Sequence, residues 1–338
     1  MIEMDRRRIL GTLSALGLMG CSRPAGSDGT YAVVNDFSEI ALAPDGGSCV
    51  LHPMLDPATF LLFQRGSAAP RTITFPRSGH WVRDLTFAHD GRTIFFTAGP
   101  PPFDTKSTIF RLDLESLTAQ AVETGYDYNR VPALSLDGAR LAYAARAAGG
   151  ASLSMFEMTL ADRRAAPFSP ALCQSVFALE NRPDGTLVVG CVPGTGPFDS
   201  LKIDEANGFQ RMFLLARDGA LQGTASRFPG ASALALQDAD ADGRILLTAR
   251  YDRPARAADI RLAILEADLA SHRFVDVSGP DGHVITGAAI AALSGDVVAR
   301  SVVVGGEHDG LETIAFEGDE ATLLSDLVGR ALPSVMSL

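Results

Sequence analysis

The sequence predicts an all-β chain folded as a six-bladed β-propeller with four antiparallel strands per blade, and three observations carry that prediction. Six times an apolar segment meets an Asp-Gly pair, once inverted, and runs into a second apolar segment: Asp45-Gly46, Asp90-Gly91, Asp137-Gly138, Asp184-Gly185, Asp242-Gly243 and Gly295-Asp296. Asp and Gly tolerate the positive φ that tight hairpin turns demand, so each pair marks a hairpin. Counted from the first residue of each pair, the separations are 45, 47, 47, 58 and 53 residues, a period that signals a repeated array. The third observation is parity. Leu42, Phe87 and Leu134 stand three residues before the Asp, and Cys49, Ile94, Leu141, Val188 and Leu246 four residues after it. Strand side chains alternate faces, so equal offsets place these residues on the same buried face of every copy.

The elements follow in order. Each hairpin supplies the two inner strands of a blade. Apolar segments at 60–63, 109–114, 153–158, 212–215, 262–265 and 312–316 supply the third strand. Segments at 71–75, 119–123, 164–168, 221–226, 273–277 and 320–325 supply the fourth. Four strands cannot cover both of their own faces, so neighbouring blades bury one another and the array closes on itself. Tyr31–Val34 is apolar enough to add a closing strand to the last blade.

Ala43-Pro44-Asp45-Gly46 and Arg182-Pro183-Asp184-Gly185 carry a resemblance to the TolB-type propeller family, whose repeat has a Pro-Asp-Gly turn between two apolar strands. The resemblance covers roughly residues 31 to 330. It implies the architecture and says almost nothing about activity, since propellers host many unrelated functions.

Ahead of the repeats, Arg6-Arg7-Arg8-Ile9-Leu10 opens an apolar run that ends at Met19-Gly20-Cys21. A basic start, a short apolar stretch and a small residue before the cut describe an export signal. The arginine pair resembles a twin-arginine signal, with the general route as the alternative. Leu18-Met19-Gly20-Cys21 resembles a bacterial lipobox, which makes Cys21 the lipidated first residue of the mature chain. The expected organisation is therefore a signal over 1–21, a Ser/Gly/Pro-rich tether over 22–30 and one propeller domain over 31–338. The expected location is the cell envelope, facing the periplasm or the outside, with the membrane reached through lipid alone.

Removing residues 1–20 leaves 26 basic against 38 acidic residues, a net charge of −12. An acidic body repels phosphate backbones and excludes nucleic acid as a natural partner. The expected partner is an envelope protein or small ligand, bound by a monomeric ring. Cys173 and Cys191 flank the hairpin turn of the fourth blade, close enough to facing one another for a disulfide worth about 3 kcal/mol in an oxidising compartment. Buried free thiols are the alternative, and Cys49 reads as core packing.

Catalytic signatures such as Gly-x-Ser-x-Gly, His-Glu-x-x-His and Cys-x-x-Cys do not occur, so chemistry would have to be assembled from several blades. Asp238-x-Asp240-x-Asp242-Gly243 matches the start of a calcium loop, although Ala249 stands where a bidentate Glu would close the cage, and turn chemistry explains the last Asp and Gly. Glu39 and Asp84 share a repeat position, six residues before their Asp, with Asn129 on the next inner strand. Lactonase-like propellers hold a divalent cation with such residues, so a metal-dependent hydrolase at the channel mouth is the alternative function.

The principal functional expectation is non-catalytic binding at the rim where the innermost strands begin. Trp81 and Arg83 stand at the start of blade two, Tyr128 and Arg130 at the start of blade three, and aromatic and Arg residues dominate binding hot spots. Blade-interface capping is the structural alternative. The chain's two lysines sit in near-copies of one loop, Pro102-Phe103-Asp104-Thr105-Lys106 and Pro197-Phe198-Asp199-Ser200-Leu201-Lys202. Phe103, Lys106, Phe198 and Lys202 thus read as two matching prongs, or as duplicated turn chemistry.

Overall fold

The computed structural model describes residues 37–53, 59–65, 70–75, 80–100, 105–146, 150, 153–193, 211–215, 221–223, 228, 231, 233–251, 259–277, 283–303, 312–319 and 322–323. They form 23 strands and no helix. Blade one holds β1 (Phe37–Leu42), β2 (Ser48–Pro53), β3 (Thr59–Gln64) and β4 (Arg71–Thr74); blade two holds β5 (Trp81–Phe87), β6 (Thr93–Gly99), β7 (Thr108–Asp113) and β8 (Thr118–Val122). Next come β9 (Tyr128–Leu134), β10 (Arg140–Arg146), β11 (Leu153–Thr159), β12 (Arg164–Asn181), β13 (Leu187–Pro193), β14 (Arg211–Leu215) and β15 (Leu221–Gly223), joined in one seven-stranded sheet. Then follow β16 (Ala233–Ala239), β17 (Ile245–Tyr251), β18 (Asp259–Leu265) and β19 (His272–Val275), and finally β20 (His283–Ile290), β21 (Val297–Val303), β22 (Glu312–Phe316) and β23 (Thr322–Leu323).

Hydrogen bonding thus yields five sheets, because β12 serves twice. Its first half, to Cys173, pairs with β11 as an outermost strand, and its second half pairs with β13 as an innermost one. The sequence reading divides this stretch into two strands, and the ladder does shift register there, between Ser169 and Cys173 and again between Cys173 and Ser175. Blades three and four share one sheet, and the remaining blades are separate four-stranded sheets.

The six turn glycines all have positive φ, from 62° at Gly91 to 84° at Gly243. The Asp-Gly pair is not the centre of a two-residue turn, however. Gly46 donates back to the Ala43 carbonyl, as do Gly91 to Ala88, Gly138 to Ser135, Gly185 to Arg182 and Gly243 to Asp240. Gly thus occupies the fourth position, where a left-handed residue returns the chain to the ladder. The Asp side chain accepts from the N–H two residues on, as Asp45 does from Gly47, Asp137 from Ala139 and Asp184 from Thr186. In blade five Asp240, not Asp242, takes this role.

Six hydrophobic clusters among the described residues lie between blades rather than within them. One joins Phe60, Ile73 and Phe75 of blade one to Ile94, Phe96 and Phe110 of blade two, with Phe75 edge-on to Phe96 and Phe110 at 5.3 and 5.0 Å. Others join blades two and three, three and four, four and five, and five and six. The sixth packs Leu42, Cys49, Leu51 and Phe63 of blade one on Ala289, Val298 and Ile314 of blade six, which closes the ring. Leu293 and Ser294 donate to the Pro44 carbonyl across the same join, and Arg65 pairs with Asp319 at 2.9 Å. Cys49 is a buried free thiol whose pKa burial pushes up to about 12, as its core-facing position predicts. Tyr31–Val34 lies outside the described residues.

Candidate functional site

The channel has two mouths: the upper, where innermost strands begin, and the lower, where they turn at Asp-Gly. At the upper mouth β5 and β9 are both bulged, between Arg83 and Thr86 and beside Arg130. Asp84 and Val131 sit at the bulges with φ of 56° and 47°, left-handed values that β-branched Val rarely adopts. The bulges free backbone groups from the ladder, and the Asp84 carboxylate collects them. It accepts from Val131 N–H at 3.0 Å, from Thr97 Oγ1 at 2.7 Å, and from both Arg130 Nε and Nη2 at 2.8 and 2.9 Å. Burial alone would raise the Asp84 pKa; the Arg130 charge and these donors outweigh it and hold the carboxyl below its ordinary value. Burial likewise works against the Arg130 charge, and Asp84 more than restores it.

Tyr128 is buried, with Arg146 over its ring at 4.5 Å and Arg130 Nη1 donating to its hydroxyl at 3.4 Å. Tyr128 and Arg130 thus form part of a lock between blades two and three, the interface role that the sequence leaves open beside surface contact. Asn129 is buried as well. Its Nδ2 donates to the Ser107 and Tyr126 carbonyls at 2.8 and 2.9 Å, and its Oδ1 accepts from Thr124 at 2.7 Å. Asp84 and Asn129 are both engaged by protein groups; of Glu39 only the backbone is described, opposite His52.

What remains accessible at this mouth stands on a clamped backbone. Lys106 is exposed, while Ser107 beside it exchanges hydrogen bonds with the Asn129 backbone. A Cβ at Gly99 would collide with the Lys106 carbonyl oxygen, so only glycine lets β6 pass this close. Trp81 and Arg83 are half-buried at the head of β5. Phe103, Phe198, Lys202 and Cys21 lie outside the described residues.

All six innermost strands line a cavity of about 60 Å³ at the lower mouth. Apolar walls come from Ile40, Leu42, Leu85, Phe87, Leu134 and Ile290; polar groups come from blade two, Thr86 and His89, and from blades four and five, Glu180, Asn181, Gln237 and Asp238. Asp238 accepts from its neighbour Ala239 and, at 2.9 Å, from Ile290 N–H on blade six. Burial, reinforced by the Asp240 charge, raises its pKa to about 7 against those two donors. Burial and the Asp238 charge push Glu180 well above the ordinary carboxylate range. Gln237 bridges to Ala288 N–H, and Asn181 Nδ2 donates to the Ala133 carbonyl at 3.0 Å, so neutral side chains join inner strands too.

The three aspartates of the expected calcium loop diverge. Asp238 points into the channel, Asp240 is buried against Arg244 at 2.6 Å, and Asp242 is 78% exposed beside the same arginine. The local turn and Arg244 consume the ligands a cation would need, and no group of three metal-ligating side chains converges among the described residues. Sequence reasoning missed Glu180 altogether, although it shares Asp238's repeat position, four residues before the Asp or its equivalent. Cys191 is disulfide-bonded, and Cys173 lies opposite Pro193 on the same ladder.

No protein-family model and no curated protein matches this chain. Solved structures match it at low identity. TolB from Acinetobacter baumannii is 17% identical with a TM-score of 0.54, covering 82% of this chain and 66% of that one. The β-propeller domain of the Trilobed protease from Pyrococcus furiosus is 13% identical at 0.52, covering 87% and 99%. An oligogalacturonate lyase in complex with manganese is 14% identical at 0.50, covering 81% and 72%. This chain spans just under two thirds of the Acinetobacter protein's length. The chain is a β-propeller, its structural neighbours include both TolB-type propellers and enzymes, and at these identities the likeness extends to the fold alone.

Proposed function

We propose that this chain is an exported, lipid-anchored envelope propeller that binds a partner at its upper mouth and catalyses nothing. One observation carries the reading: the Asp84–Arg130–Tyr128–Arg146 lock and the Asn129 clamp fix the backbone from which Trp81, Arg83 and Lys106 project. A surface held in place before docking loses little conformational freedom on binding, which favours recognition. The sequence adds Phe103, Phe198 and Lys202 to the proposed contact residues, as members of the two loop copies that carry the lysines. The same lock uses the carboxylate and amide that a hydrolytic metal centre would need, which weighs against the lactonase-like alternative.

Attachment through Cys21 follows from the lipobox-like Leu18-Met19-Gly20-Cys21, and among the described residues no helix is long and apolar enough to cross a membrane. The disulfide at Cys191, which we assign to Cys173, suits an oxidising envelope compartment. The test is crosslinking in native envelopes with wild type and with the Trp81→Ala/Lys106→Glu double variant at equal melting temperature. A partner captured by the wild type and lost by the variant supports the reading; identical capture by both ends it.

A further inference from the structure

We propose that Glu180 and Asp238 share a single proton across the join between blades four and five, and that releasing it loosens this join, so that the lower mouth responds to pH. This behaviour is independent of partner binding at the opposite mouth.

The geometry is that of two carboxyl groups at one repeat position on adjacent innermost strands, facing one channel. In the other blades that position holds Ala41, Thr86, Ala133 and Ala289, none of them ionisable. Among the described residues lining the cavity there is no Lys or Arg, and β5 contributes Leu85, Thr86 and Phe87. β1, β9 and β20 contribute Ile40, Ala41, Leu42, Leu134, Ile290 and neighbouring apolar residues, and the β5–β6 turn contributes His89. His89 is itself held neutral-leaning, since burial lowers its pKa more than Asp137 and Asp90 raise it. Across their own hairpins Glu180 and Asp238 pair with Val188 and Leu246. The nearest guanidiniums are spent elsewhere: Arg244 on Asp240 and Asp242, Arg182 on Asp184 and the Gly243 and Ala267 carbonyls.

Two like charges facing one narrow cavity from adjacent strands cannot both form cheaply, so one proton is retained while its neighbour ionises. Asp238, hydrogen-bonded to Ala239 and Ile290, is the better placed to carry the charge, and Glu180, for which no such donor is seen among the described contacts, to carry the proton. When that proton leaves, repulsion acts directly across the blade four–five join and on the Ile290 N–H that Asp238 holds in blade six.

Amide hydrogen exchange, corrected for intrinsic rates, reads this directly. Ile290 reports the acidic pair, and Val131, bound to the permanently paired Asp84, serves as the internal control. Between pH 5.5 and 8.5 we expect Ile290 protection to fall by roughly tenfold or more relative to Val131, one pKa unit corresponding to about a tenfold effect. In Glu180→Gln the fall disappears. Parallel behaviour of the two amides in the wild type, or an unchanged Ile290 profile in the variant, overturns the proposal. Should Glu180→Gln not fold, carboxyl ¹³C titration of the wild type decides: a midpoint above about 6 for either group supports the shared proton, and two midpoints in the ordinary carboxylate range exclude it.

Discussion

Asp84 and Asp238 solve one structural problem in opposite electrostatic settings. Each lies on an innermost strand beside a ladder irregularity, and each spans to the backbone N–H of the next blade, Val131 or Ile290, at 3.0 and 2.9 Å. At the upper mouth the neighbouring blade supplies Arg130 and the carboxylate is held charged. At the lower mouth the preceding blade supplies Glu180, and the pair is held partly protonated. The difference teaches that inter-blade bridging requires only an acceptor; charge is a separate variable, decided by whichever side chain the adjacent inner strand presents. A bridge with a guanidinium behind it is a lock, and one with a second carboxyl behind it is sensitive to protons.

The comparison breaks most severely at the lock. Asp84→Ala leaves Arg130 buried without a counter-charge, and a loss of about 3–5 kcal/mol is expected in denaturant unfolding. Asp84→Asn tolerates the same left-handed backbone and isolates the charge, so it should cost less than Ala.

pH separates the two sites by sign. The Asp84 pKa is depressed, so its contribution is present above the ordinary carboxylate value and is lost as pH falls through the lower folded value. Glu180 and Asp238 are both raised, Asp238 to about 7, so the folded pair holds protons more tightly than the unfolded chain, and stability declines as pH rises from the ordinary carboxylate value to beyond 7. Melting curves from pH 4 to 8 should therefore show a neutral limb that Glu180→Gln flattens, by on the order of 1–3 kcal/mol once the channel's access to water is allowed for. Asp84→Asn should leave that limb intact.

Asn181 provides the uncharged counterpart. Asn181→Ala removes its bond to the Ala133 carbonyl and should cost about 1 kcal/mol at every pH in this range. The smallest effect belongs to Lys106→Ala, an exposed side chain whose removal should change stability by less than about 0.5 kcal/mol. Loss of partner crosslinking at unchanged melting temperature would confine Lys106 to recognition.

The strands were legible in the sequence because a hairpin is a local object. Alternation set the buried face, and Gly46, Gly91, Gly138 and Gly185 each marked a corner that needs positive φ. Turn detail was less so: Asp-Gly suggests a two-residue centre, whereas the Asp caps from the third position and the Gly follows it. The lock was hidden for a different reason. Asp84 and Arg130 are 46 residues apart on different blades, and only the stagger between neighbouring rings of side chains brings them together. From sequence, Tyr128 and Arg130 are therefore equally compatible with surface contact and with the blade interface they occupy. Glu180 could have been found by laying the six inner strands in register, since an acid stands at that offset in two adjacent copies; the calcium-like spacing around Asp238 drew attention along the strand instead of across it.

β12 gives the ring an uneven character. One segment serves as the outermost strand of blade three and the innermost strand of blade four, so these two blades share a strand while the other described sheets are separate. The other five joins lie between separate sheets. The acid pair sits at one of these, on the far side of the blade that shares its strand with blade three.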